Sequence, residues 1–173
     1  MRSPFRYAVF AACVIAPAIA FAGCGSDAHQ TDGGAQMDAD FNTCEDTPAV
    51  PYQQGMTVTS TSGAYVATLV SAVTESNPSI QGFAVDKHNV WVVSVTDAAS
   101  GMPADVMLTA QRPTMPLHTH GSPDMPVVTP GDTGTFTITM LNFFMAGYWE
   151  FKLDLQPATG AADRVTFAIC VPS

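Results

Sequence analysis

Apolar and polar residues alternate with a period of two through much of the chain, the pattern of strands that bury one face and wet the other. Over residues 148–155, Trp149, Phe151, Leu153 and Leu155 fall on one side and Glu150, Lys152 and Asp154 on the other. Over 133–141, Thr133, Thr135, Thr137 and Thr139 oppose Phe136, Ile138 and Met140. Residues 164–171 align Val165, Phe167 and Ile169, and residues 90–97 align Trp91, Val93 and Val95. Three more β-rich runs, 56–59, 65–75 and 105–111, sit between Gly, Pro, Asn and Asp clusters. Ser76-Asn77-Pro78-Ser79-Ile80-Gln81-Gly82 reads as a turn. Outside the first twenty or so residues nothing repeats at the helical period. About seven strands with turns between them predict an all-β domain, an immunoglobulin-like antiparallel sandwich over residues 55–173.

The N-terminal residues break this pattern. Arg2 and Arg6 precede an apolar run from about Tyr7 to Ala20, followed by small residues, as in an export signal over residues 1–23. The run is shorter than the roughly 20 residues a spanning helix needs. Two cleavage readings stand side by side. Ala20-Phe21-Ala22 suits cutting before Gly23, whereas Phe21-Ala22-Gly23-Cys24 resembles the lipobox of bacterial lipoproteins, with Phe21 where Leu is usual. In the second reading Cys24 is lipidated and becomes the mature N-terminus, anchoring the protein to a membrane of the cell envelope. Gly25 rather than Asp follows Cys24, which fits the outer membrane.

The cysteine count bears on that choice. Cys13 leaves with the leader, so cutting before Gly23 strands one thiol among Cys24, Cys44 and Cys170, while lipidation consumes Cys24 and leaves a pair. In an oxidising compartment Cys44 and Cys170 are then expected to bridge, the alternative being two small buried thiols that stay reduced. Residues 24–54 are rich in Gly, Ser, Asp, Gln and Thr with no Lys or Arg, and are expected to form a flexible acidic tether.

Charge removes one class of function. The formal net charge is −9, and without the leader the only cations are Lys87, Arg112, Lys152 and Arg164. A nucleic-acid partner, which needs clustered Lys and Arg, is excluded on this ground.

Candidate chemistry concentrates in Met115-Pro116-Leu117-His118-Thr119-His120-Gly121-Ser122-Pro123-Asp124-Met125-Pro126, which holds two of the four histidines. Imidazole and thioether form a soft donor set, the kind that favours Cu(I) over hard, oxygen-seeking cations. In an extended segment His118 and His120 face the same way and can share one ion. Pro113, Pro116, Pro123 and Pro126 predict an ordered loop rather than a ladder strand. The competing reading makes the histidines and methionines alike fillers of the space between two sheets. His29 is expected in solvent and His88 at a turn. His118-x-His120 with Asp124 and Gly131 distantly resembles the first metal motif of cupins. However, Asp replaces Glu, Arg112 stands where Gly belongs, and no histidine follows His120. Nucleophile-elbow, phosphate-loop and HExxH motifs are absent, so no enzyme is expected.

Asn89-Val90-Trp91-Val92-Val93, the segment from Asp97 to Pro103, Met115 to Gly121, and Met145-Ala146-Gly147-Tyr148-Trp149 together resemble the successive motifs of the YtkA-like domain. That domain is a secreted or lipid-anchored immunoglobulin-like sandwich of bacteria, related in motif to FixH-like envelope proteins. The resemblance spans roughly Gly63 to Val171 and implies a link to copper handling. It also adds Met145 as a thioether from a second segment, with packing against Trp149 as its competing role. Two functions stand as expectations. The first is a lipid-anchored envelope module that buffers or passes Cu(I) through His118, His120 and one or two of Met115, Met125 and Met145. The second is a metal-free module using the proline-fixed loop to contact an envelope protein.

Overall fold

The computed structural model describes residues 44–173. Two antiparallel sheets pack face to face as a sandwich, so the all-β expectation holds. Among the described residues no helix is long and apolar enough to cross a membrane. The expected signal peptide, Cys24, His29 and most of the expected tether lie outside the described residues.

The first sheet is built on β2 (Tyr65–Thr74), β4 (His88–Asp97), β9 (Thr135–Asn142) and β8 (Val127–Pro130), in that order. β1 (Thr57–Thr59) and β3 (Asn77–Gln81) both pair with β2. The second sheet sets β11 (Asp163–Val171) beside β10 (Gly147–Pro157). β10 is flanked on its other edge by β5 (Val106–Ala110) and then β6 (Thr114–Met115), which continues to β7 (His120–Gly121). Seven of these strands, β1, β2, β4, β5, β9, β10 and β11, match the four alternating and three β-rich runs. The segment expected to be a turn around Asn77 is instead the exposed arm β3, tied back by Thr74, whose side chain both donates to Asn77 O and accepts from Asn77 N–H.

The alternation does what it implies. Trp149, Phe151, Leu153 and Leu155 are buried opposite Ile169, Phe167, Val165 and Asp163 in the β10–β11 register. Trp91 in the first sheet meets Phe151 and Phe167 of the second edge-on, with centroids at 5.2 and 5.7 Å, so one indole joins the two layers. Met140 departs from the expected inward face. The β4–β9 register shifts between Asn89 and Trp91, Met140 takes φ 58°, and its side chain turns outward while Leu141 is buried. One extra residue in β9 thus reverses the face of the residues beyond it.

Residues 44–54, expected as the end of the tether, lie on the sandwich. Val50 N–H donates to Ala168 O and Cys170 N–H to Val50 O, extending β11 by a parallel bridge. Cys44 and Cys170 are disulfide-bonded, with Cα atoms 5.8 Å apart. This strap covers an otherwise open sheet edge.

At the opposite end, Gly134 (φ 73°) nestles under the β4–β5 connection, where a Cβ would stand 2.6 Å from Val95 O and 3.1 Å from Ala104 N. Backbone cannot step aside as a flexible side chain can, and the left-handed φ adds its own cost. Gly134→Ala should therefore lose about 2 kcal/mol or more in urea unfolding; an unchanged midpoint would contradict this packing.

Asp163 gives the fold an acid-sensitive clasp. Partial desolvation raises its pKa, but hydrogen bonds from Ser60 and Ser62 and from backbone amides outweigh this and bring it down to about 2. A depressed carboxylate contributes stability above its unfolded pKa and loses it as pH falls through the folded value. The contribution should be constant above about pH 5 and fade between about pH 4 and 2. Urea midpoints across that window should decline less steeply for Asp163→Asn than for wild type, and parallel curves would rule out the clasp.

Candidate functional site

The histidine-bearing segment is a short hairpin at the end of the sandwich where β4 begins and β9 ends. Pro113 and Pro116 flank Thr114 and Met115, leaving just these two residues free to ladder: Thr114 pairs with Glu150 on one side and Gly121 on the other, and Met115 pairs with His120. The expectation of a loop with no ladder is corrected to that extent. The prolines bound the ladder without preventing it, because neither falls within it.

His118 N–H donates to Met115 O, closing the turn, and Thr119 has φ 54°. A β-branched residue in the left-handed region is a local outlier, and here it sits between the two candidate ligands. The segment is therefore not extended. Even so, the rings of His118 and His120 lie nearly parallel, 12° between planes and 6.0 Å between centroids. His118 is half-buried and His120 is exposed. The His120 ring also meets Phe144 at 6.3 Å, and Phe144 packs edge-on against Trp149 at 5.4 Å.

The three methionines divide. Met115 is 1% exposed within the core, so its thioether faces apolar side chains. Met125 is 52% exposed, but its Sδ accepts from Arg112 Nε at 3.4 Å. Met145 is half-buried in the β9–β10 connection, next to Phe144, and its carbonyl accepts from Trp149 Nε1 at 2.9 Å. The structure thus brings His118, His120 and the Phe144-Met145 turn to one rim, places Met125 beside Arg112, and takes Met115 inside. Among the described residues no three His, Cys, Asp or Glu side chains form a group able to hold a metal ion. The candidate donors at this rim are the two imidazoles and, on the turn whose Phe144 meets His120, the Met145 thioether. That set fits a soft ion of low coordination number better than zinc, which seeks four nitrogen or sulfur ligands.

Sequence reasoning missed a polar cluster behind the hairpin. His88 does not sit in a turn; it opens β4, where wholly buried Asn89 accepts from Ala84 N–H and donates to Ala84 O, Lys87 O and Leu141 O. His88 Nε2 lies 3.1 Å from Asp124 Oδ2, and His88 Nδ1 lies 3.4 Å from Glu75 Oε2. Asn142 Nδ2 donates to the same Asp124 oxygen at 2.9 Å. These bonds, Asn142 first and His88 second, hold the Asp124 carboxyl below the usual range. No spacing rule reaches this cluster, because the His88–Asp124 contact joins residues 36 apart in sequence.

Another feature lies away from the histidines. A groove of about 630 Å³ runs between β5 and β8 over Leu108 and Phe136, and none of the candidate ligands lines it.

Fold and rim together define a two-sheet antiparallel sandwich that presents a histidine hairpin at one end. The chain matches no protein-family model, no curated protein and no solved structure.

Proposed function

We propose that this protein is a lipid-anchored module of the bacterial cell envelope that binds Cu(I) at His118 and His120 to buffer it or pass it on. The observation that carries the reading is the near-parallel imidazole pair at 6.0 Å, held side by side by a turn whose central Thr119 adopts a strained φ. Two imidazoles on a tight turn need little ordering on binding, so less affinity is lost to entropy. Met145 is the favoured third donor, since its turn also carries the ring that touches His120. Met125 becomes a ligand only if Arg112 releases it. When bound, the ion contributes soft Lewis acidity. The chain's own part is to present the two imidazoles at an accessible rim backed by Phe144 and Trp149.

Anchoring rests on the lipobox resemblance at Cys24, and the YtkA-like resemblance rests on the motifs named above. Both point to the envelope, and the oxidised Cys44–Cys170 pair suits an exported protein.

Anaerobic Cu(I) titration of the domain against a competing chelator tests the reading. Wild type should take up one equivalent, and binding should weaken as pH falls, because a histidine ligates only when neutral. Changing both His118 and His120 to Ala should abolish tight binding without unfolding the sandwich. Met145→Leu should weaken binding at unchanged stability. Wild type that takes up no copper, or a double variant that binds equally well, would overturn the proposal. In that case the proline-fixed tip with exposed Leu117 would remain as a protein contact surface.

A further inference from the structure

We propose that His88 is the positioning residue of the hairpin: by holding Asp124 it fixes the return arm that carries His120 against the first sheet. The inference deepens the copper reading and rests on it for its functional consequence, while its structural content stands apart.

Four segments distant in sequence meet at His88: Glu75 just beyond β2, His88 opening β4, Asp124 in the return arm, and Asn142 ending β9. Between His120 and Asp124 the arm is fixed at successive points. Gly121 pairs with Thr114, Ser122 N–H donates to Pro113 O at 2.8 Å, and Asp124 N–H donates to the Ser122 hydroxyl at 3.3 Å. Ser122 is wholly buried, so the arm's middle is clamped inside while Asp124 is clamped on the outer face. Without the His88 contact, the Asp124 carboxylate keeps only its bond from Asn142 among the bonds described here, and the next restraints along the arm are the exposed Arg112–Met125 bond and the start of β8. A bond from an imidazole N–H to a carboxylate is of the charge-assisted kind, stronger than a neutral one. The two ring nitrogens face different carboxylates, Nε2 that of Asp124 and Nδ1 that of Glu75, so their roles can be separated by substitution. A glutamine amide nitrogen reaches about as far as Nε2, toward Asp124, and an asparagine amide nitrogen about as far as Nδ1, toward Glu75.

The experiment is amide hydrogen exchange on wild type, His88→Ala, His88→Gln and His88→Asn, with Cu(I) affinity measured in parallel. In His88→Ala the Ser122 and Asp124 amides should exchange about tenfold faster, the equilibrium factor for losing one hydrogen bond to a charged group. Amides of β10 and β11 should keep their wild-type rates, which separates a freed arm from a destabilised fold. His88→Gln should restore protection and His88→Asn should not. Cu(I) affinity should fall and recover in the same order. Wild-type exchange at Ser122 and Asp124 in His88→Ala, or identical behaviour of the Gln and Asn variants, would overturn the proposal. So would copper affinity indifferent to His88 in a protein that binds copper tightly. If wild type binds no copper while exchange still follows the Ala, Asn and Gln order, the arm-positioning role is upheld and the copper reading alone falls.

Discussion

Replacing Cys44 and Cys170 together with Ser should lower the unfolding free energy by about 5 kcal/mol, the loop-entropy value for a bridge between residues this far apart. The bridge spans 126 residues, nearly the whole described chain, so without it the unfolded state gains the freedom of one very long loop. A loss this size is comparable to the entire stability of many domains of this length. The bridge also has a local task. It pins the strap whose Val50 bonds Ala168 and Cys170, and whose Tyr52 meets Phe83 edge-on at 5.3 Å. Urea denaturation of the oxidised protein, its reduced form and the double variant provides the measurement. The reduced form and the variant should agree with each other and fall well below the oxidised protein, and the Val50 amide region should lose exchange protection first. A difference of less than about 1 kcal/mol between oxidised and reduced forms would show that the bridge is not a main support of the fold.

Trp149→Ala should cost about 3 to 5 kcal/mol, the usual range for deleting a buried large aromatic. The indole is fully buried, packs on Phe143 and Phe144, and donates to Met145 O. Its removal leaves a cavity and an unbonded carbonyl in the connection that carries the candidate thioether. Glu150→Ala, one residue along on the outward face, should change stability by about half a kcal/mol or less. Its bonds to Tyr148 and Lys152 are side-chain pairs on a partly wet surface. Equal losses for the two variants would place the β10 register one residue off. Because Phe144 links Trp149 to the His120 ring, Trp149→Ala should also weaken Cu(I) binding. Phe151→Ala, which is equally buried on the same strand, should destabilise without that effect.

The strands with the cleanest alternation were legible from the chain alone, because a half-buried strand must repeat its apolar residues every second position. β4, β10 and β11 bury the residues their pattern puts inward. β9 follows its pattern only to Ile138. The bulge at Met140 depends on how β9 pairs with β4 and β8, and no local feature of Met140 announces it. The histidine hairpin was legible as a cluster of ligand types, since those residues are neighbours in sequence. Its geometry was not, because the parallel rings arise from a left-handed Thr119 rather than from extended chain.

What the sequence by itself determined about this protein is local: the faces of the cleanly alternating strands, the pairing of Cys44 with Cys170 as an expectation from counting, and the placing of two histidines and several methionines in one segment. Only the tertiary structure decided which methionines remain accessible, that Met115 belongs to the core while Met145 stands by the rim, and that His88 grips Asp124 across 36 residues. The physical reason is the range of the forces. Alternation is set by burial of one residue at a time, whereas donor sets and clamps depend on which distant strands pair and in what register. A shift of one residue there reverses every face.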